Sequence, residues 1–271
     1  MSKSHTSFID EDLEEVNSSF SEFITFLRDF IIILVIVFFI RTFVITPFQI
    51  NGQSMEWSYH DKEFILVDKF SYLDFAQDIA DPTDSTTVRY LTSLWQKIPI
   101  HVGDPIRGDV VVIKPHVDKT REHYIKRVIA LPGDIIKFEN GLVMIQVAWS
   151  DRFVQLHESY LTLSNSGHTY LPEYIEWNQF LVPQDTYWVM GDNRQNSADS
   201  RQCFQNCFGA DVSAHFIKRS NVIGRVLFNF WYFNIFSDGG LLRDGKITWT
   251  QKPRFLSHPR NATYPELENI N

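Results

Sequence analysis

Three short stretches of this chain carry residue types that could do chemistry together. In "INGQSMEW", Ser54 follows Gly52 by two residues. A serine hydroxyl is a weak nucleophile until a base takes its proton, and no histidine stands beside this one. Glycine lets a backbone approach a substrate closely and aim N–H groups at it, although the same letters also suit an ordinary turn serine. In "HYIKRVIALPGD", residues 123–134, a strand would place Tyr124, Lys126 and Val128 on one face and Ile125, Arg127 and Ile129 on the other. A lysine between an aromatic and a branched apolar neighbour either snorkels to water or is desolvated, and desolvation lowers its pKa towards that of a general base. The third stretch, "MGDNRQNSADSR", residues 190–201, is dense in Asp, Asn, Ser and Arg. It suits either a solvated loop or an internally bonded one. The aromatic strand "DTYWVM" delivers it from the core, which favours a loop that supports a site.

These residues need elements to hold them. Runs such as "EFILVDKFSY", "GDVVVIKPH", "YIKRVIAL", "DIIKFENGLVMIQVAW", "TYWVM" and "VIGRVLFNFWYF" are short, β-branched or aromatic, and bounded by Gly, Pro, Asp or Asn. Helical periodicity is nearly absent beyond residue 50, apart from "SYLDFAQDIA". The expected fold is therefore mainly β, a barrel or sandwich. Asp74 to Asp104 and Gln202 to Ser220 read as loops or insertions, and the polar tail after Pro253 as loosely held.

Ahead of this domain lies an acidic polar start and then an apolar run. Phe30 to Phe48 carries a single charge, Arg41. A spanning helix needs roughly 20 apolar residues. A cleavable signal peptide would have a basic start and small residues at its end, so an uncleaved anchor is expected, closed by Pro47. The boundaries read as an acidic tail at 1–29, an anchor at 30–48, a β-rich domain at 49–252 and a polar tail at 253–271. Lys3 and Arg28 before the span nearly balance Arg41, Lys62 and Lys69 after it, so charge leaves the topology open.

Composition excludes other classes. The hydrophobic fraction of 44% over 271 residues leaves no room for a polytopic transporter, and a net charge of -8 gives no drive towards nucleic acid. Two cysteines, Cys203 and Cys207, are too few for a disulfide framework. They could pair outside the reducing cytoplasm, and as a CxxxC lacking two further ligands they argue weakly for zinc.

Taken in order, the serine, the strand lysine and the polar loop behind an N-terminal anchor resemble the bacterial type I signal peptidases, membrane-bound Ser/Lys proteases. "RTFVITPFQINGQSM", "VDKFSY", "RGDVVVI", "YIKRVIALPGD", "HESYL" and "VPQDTYWVMGDNRQNSADSR" carry the resemblance, from about Arg41 to Trp231. It implies a signal-peptidase-like β-rich catalytic domain with loop insertions, in which Ser54 is the nucleophile and Lys126 the base. Ser197 would bond the lysine amine, Asp199 would pair with Arg201, with Arg127 as a further partner, and the backbone at Ser54 and Gly52 would form the oxyanion hole. Ile50 and Met55 would contact substrate. No metal or cofactor is implied; the partners would be signal peptides of preproteins, the phospholipid bilayer and the secretion translocon. The place would be the cytoplasmic membrane, crossed once, with the catalytic domain outside. One departure stands out: Trp57, Ser58 and Tyr59 occupy positions where the family has Pro-Thr-Leu. Two rivals remain at this stage, a non-catalytic tethered domain that binds exported chains and a peptidase dedicated to few substrates.

Overall fold

The computed structural model describes residues 5–73, 101–115, 123–205, 207, 211–231, 242–243, 246–247 and 262–268. It has two compact units, Met1–Val44 and Ile45–Asn271. The first is the helix α1 (His5–Phe39), continued by a π-helical turn over Ile40–Val44. The stretch Ser21–Val44 has a mean hydropathy of 2.7, long and apolar enough to cross a membrane. From Phe30 to Ile40 its side chains are exposed apolar groups, which sets it apart from the core helix of a soluble protein. Pro47 does not end this helix. Strand geometry already begins at Ile45, so the last residues assigned to the anchor belong to the second unit.

The second unit is built on antiparallel strands. β1 (Ile45–Gln49), β2 (Phe64–Asp68), β3 (Val110–Ile113), β4 (Tyr124–Ala130), β5 (Ile135–Glu139), β6 (Leu142–Gln146), β7 (Val154–Gln155), β8 (Gln179–Leu181), β9 (Thr186–Met190), β10 (Ile217–Lys218) and β11 (Val222–Trp231) follow in chain order. They form a seven-stranded sheet, β1-β2-β11-β3-β4-β9-β10, and a four-stranded one, β7-β6-β5-β8. Pro47 lies opposite Leu66 on the edge strand β1, where its missing N–H breaks no inner ladder. The β-branched run of β3 is buried at all four positions, as a strand between β11 and β4 must be.

Every strand run read from the sequence is a strand here, and β1, β7, β8 and β10 are additions. Of the stretch expected as a helix, residues 71 and 72 belong to a single 3-10 turn, Phe70–Tyr72, and 74–80 lie outside the described residues. Most of the expected loop at 74–104 also lies outside them. The stretch 202–220 is more than a loop, because it contributes β10 to the main sheet. The tail is partly packed as well. Tyr264 is buried, its hydroxyl meets that of Tyr160 at 3.1 Å, and the Glu266 carboxylate accepts the His157 N–H at 2.7 Å. A segment with one buried aromatic and two specific bonds is held.

Three apolar clusters fill the unit. One joins the second sheet to Trp188 on β9; a second gathers Val111, Ile113, Val128, Val189 and Phe204; a third gathers Ile50, Met55, Tyr59, Ile65 and Val110. Alternate residues of β3 serve the last two clusters, one on each face of the main sheet.

Candidate active site

Residues 50–63 form a loop between the paired strands β1 and β2, and Ser54 sits near its apex. The Ile50 N–H reaches Glu63 O at 2.8 Å and the Lys62 N–H reaches Ile50 O at 2.7 Å, which closes the base. Within the loop the N–H groups of Ser58 and Tyr59 both point at Met55 O. Trp57 has φ 79°, a left-handed conformation that proline cannot adopt. The proline that the resemblance leads one to expect here would not fit this backbone path, and the indole is 56% exposed. Ser58 donates to the Asp192 carboxylate at 2.5 Å, and Tyr59 is buried in the cluster beneath.

Lys126 comes from β4 and is only 2% exposed. Its Nζ donates to Ser54 Oγ at 2.8 Å and to Ile125 O at 2.8 Å, with the Tyr124 ring centroid 5.3 Å away. The two residues, 72 positions apart, thus meet through their reactive atoms. Burial lowers the Lys126 pKa to about 8, against the opposing pull of Asp199 and Asp192 and with help from Arg201. In the neutral amine, one N–H stays on Ile125 O and the lone pair faces the serine hydroxyl. That is the geometry of a general base on its nucleophile. Among the described residues, Lys126 is the only hydrogen-bond partner of the Ser54 hydroxyl.

The loop after β9 locks the nucleophile's backbone. The Asn193 N–H donates to Ser54 O at 3.0 Å, and its side-chain amide donates to Gln53 O at 3.0 Å. At Gly191 a Cβ would stand 2.4 Å from Ser54 O and 2.2 Å from Ser197 Oγ, so only glycine allows this approach. The Asp199 carboxylate accepts the Gly191 N–H at 3.0 Å and holds Arg201 through Nε at 3.0 Å and Nη2 at 2.9 Å. Burial alone would push the Asp199 pKa up. Arg201, the Gly191 N–H and the nearby Ser197 hydroxyl more than offset it, and the carboxyl stays below its usual range.

Several expectations are revised. Ser197 is buried beside Asp199, and its hydroxyl does not bond the lysine amine, whose second acceptor is Ile125 O. Arg127 does not serve Asp199. It is fully buried and grips Asp192, through Nε at 2.9 Å and Nη2 at 2.6 Å, while stacking on Tyr160. Gly52 cannot donate to an oxyanion, because its N–H is spent on Asp61 at 2.7 Å. The Ser54 N–H, by contrast, has no partner among the described residues. Ile50 and Met55 are core residues, and Met55 Sδ takes the Asp192 N–H at 3.4 Å; they form the floor under Ser54 rather than an open wall. Sequence reasoning missed Asp192, which ties Arg127 to Ser58, and Asn193. Both stand in the "GDN" letters, yet nothing local announces their partners. Cys203 and Cys207 are joined in a disulfide. His215 lies with both sulfurs inside 4.8 Å, but the bond leaves no thiolate for a metal.

The chain is similar to known proteins. The family profile described as "Signal peptidase, peptidase S26" matches residues 23–231. The chain is 32% identical over 187 residues to signal peptidase I P of Bacillus subtilis subsp. natto, covering 67% of this chain and 80% of that protein. It is 32% identical over 191 residues to signal peptidase I of Pseudomonas aeruginosa, covering 64% and 61% respectively. A signal peptidase I of known structure from Enterococcus faecalis is 25% identical with a TM-score of 0.32, covering 45% of this chain and 95% of that one.

Proposed function

The chain belongs to the signal peptidase S26 family, and from that premise we propose how it works as the serine endopeptidase that removes signal peptides. Ser54 Oγ attacks the carbonyl at the end of the signal peptide as neutral Lys126 takes its proton. The Ser54 N–H, held in place by the bond from Asn193 to Ser54 O, receives the developing oxyanion. The lysine then protonates the leaving amine, and the mature chain departs from an acyl-enzyme. Lys126 finally activates a water that frees the signal peptide. The observation that carries this is the 2.8 Å contact between Nζ and Oγ in a site where the amine is buried.

The apolar stretch Ser21–Val44 supports the reading of a membrane anchor, with signal peptides as substrates of the anchored enzyme. The Cys203–Cys207 disulfide supports a catalytic unit outside the cytoplasm, since such bonds persist in oxidising compartments. Delivery by the secretion translocon, at the cytoplasmic membrane, fits both. Trp57 favours a narrower reading within the same activity, a peptidase selective among preproteins, because an exposed indole replaces proline on the nucleophile's own loop.

The test is to incubate purified full-length protein in detergent with a panel of preproteins. Cleavage at the signal junction, lost in Ser54→Ala, is the expected result; cleavage surviving that substitution refutes the mechanism. Processing of only a few of the panel would establish the narrower reading. Protease added outside spheroplasts should digest the chain beyond residue 50, and protection would overturn the topology.

A further inference from the structure

The segment that follows Arg201 is unusual in its backbone. Gln202 has φ -116° and ψ 19°, and then Cys203, Phe204 and Gln205 have φ of 44°, 53° and 71°. Three successive residues with a Cβ in the left-handed region are disfavoured, and such conformations persist only where the surroundings over-determine them. Here the Cys203–Cys207 disulfide closes the turn.

The turn touches the catalytic machinery at two points. The N–H groups of Gln202 and Phe204 both donate to Asp199 O at 3.0 Å, so the residue whose carboxylate holds Gly191 and Arg201 has its backbone fixed by the turn. The left-handed path also buries the Phe204 ring in the cluster that includes Val111 and Val128. It stands 6.5 Å from the Tyr124 ring, which in turn faces Lys126 Nζ. Beyond the turn, His215 Nδ1 contacts Ser200 O at 2.6 Å and Ser200 Oγ accepts the Val189 N–H. The chain on either side of Asp199 is thus clamped, and the closed turn is the clamp on its C-terminal side.

We propose that the disulfide-closed turn at Cys203–Cys207, with Phe204 as its anchor, is a positioning element for the Ser54–Lys126 reaction, so that reducing the disulfide turns cleavage down. This rests on the Ser/Lys reading of the site. The step needs a dithiol reductant, which supplies two electrons and two protons and leaves as its own disulfide; Cys203 and Cys207 become thiols. Freed of its closure, the turn relaxes towards right-handed backbone. Its two bonds to Asp199 O are lost, and the Arg201 guanidinium loosens from the Asp199 carboxylate.

The groups facing Lys126 give the change a direction. They are Asp192, Asp199 and Arg201 from the loop after β9, Tyr124 from its own strand and Ser54 from the nucleophile loop. Arg201 opposes the lysine's proton and Asp199 favours it. An Arg201 that drifts away leaves the Asp199 charge uncompensated, so the amine holds its proton to higher pH.

The experiment compares oxidised full-length enzyme in detergent with the same enzyme reduced by dithiothreitol and alkylated, through the pH profile of kcat/KM on one preprotein. The expected result is a rising limb displaced upward by about one pH unit, hence a fall of about tenfold at neutral pH that shrinks above pH 9, with KM little changed. Phe204→Leu, which keeps the disulfide but trims the anchor, should move the limb the same way by less. Reduction followed by reoxidation without alkylation should restore the original limb. A uniform loss at all pH with an unmoved limb, or no loss at all, overturns the proposal. Failure of the oxidised enzyme to cleave would instead overturn the Ser/Lys reading beneath it.

Discussion

The charge state of Lys126 decides whether this site works, and its consequences can be calculated. An ordinary lysine with a pKa of 10.5 would be neutral in about one molecule in 3,000 at pH 7, whereas at about 8 the neutral share is about one tenth. Burial therefore multiplies the available base by about 300. The rate should rise with pH along a limb centred near 8 and level off above about 9. The same shift has a cost in stability. The unfolded chain holds this proton up to pH 10.5 and the folded chain only to about 8. Between those values the unfolded state binds more protons, so folding becomes more favourable as pH rises, and below 8 the penalty is present in full. Its size is about 3 kcal/mol. Lys126→Met, of similar volume and without charge, should abolish cleavage while raising stability at pH 7 by up to that amount, less the bond to Ile125 O. The gain should fade as pH rises towards 10. Denaturant unfolding of both full-length proteins in the same detergent, at pH 7 and pH 10, measures the difference and cancels the other titrating groups. A Lys126→Met variant that is less stable than the parent by the same margin at both pH values would refute the reasoning, as would a wild-type limb centred near 10.

Other substitutions separate the remaining contributions. Gly191→Ala should reduce kcat by at least about a hundredfold, because the added methyl group would stand within 2.4 Å of Ser54 O and Ser197 Oγ; steady-state kinetics on a purified preprotein checks it, and near-normal turnover would contradict the described approach. Trp57→Gly should stabilise the protein by about 1 kcal/mol, since glycine has no penalty at φ 79°; thermal unfolding reads the gain, and a loss would mean that the indole packs on something. Asp192→Asn should destabilise by about 3 kcal/mol by removing the carboxylate charge that the buried Arg127 guanidinium faces; a change below about 1 kcal/mol in denaturant unfolding would show that the neutral amide serves as well.

Legibility from sequence followed the range of the forces involved. Period-two alternation and turn residues act within a strand, so β2, β3, β4, β9 and the β5–β6 hairpin could be read directly. β1 could not, because "ITPFQ" continues an apolar run without a break and contains a proline that usually ends elements; its strand character comes from pairing with β2. Ser54 and Lys126 stood out because their boxes occur in a recognisable order. Arg127, Gly52 and Ser197 have surroundings other than those expected, for one shared reason. Each depends on which of several nearby polar groups is closest in space, and Asp192, Asp61 and Ile125 O take those places at distances of 2.6 to 2.8 Å. Residue type limits the partners of a buried polar group, while only the packed chain selects among them.

That selection also explains how a lysine can lose its proton beside two carboxylates. Asp192 and Asp199 both favour the ammonium, and unpaired they would hold its proton well above neutral pH. Each, however, is bound bidentately by an arginine: Asp192 by Arg127 and Asp199 by Arg201. A charge paired at 3 Å presents mainly a dipole to a third group, and a dipole's field falls off faster than a charge's. What remains at Lys126 is the cost of burial, which points the other way and is the largest influence on it. Arg201 therefore has a role that neither residue type nor contact with Ser54 reveals. It keeps Asp199 ionised and the loop anchored while limiting the field that this carboxylate imposes on the base. In Arg201→Lys a single ammonium replaces the two-pronged guanidinium, so the Asp199 charge is less completely covered. The rising limb of kcat/KM should then move to higher pH while the loop stays attached. A limb that stays near 8 in that variant would mean that burial alone sets the lysine's pKa and that the pairing serves only to hold the loop.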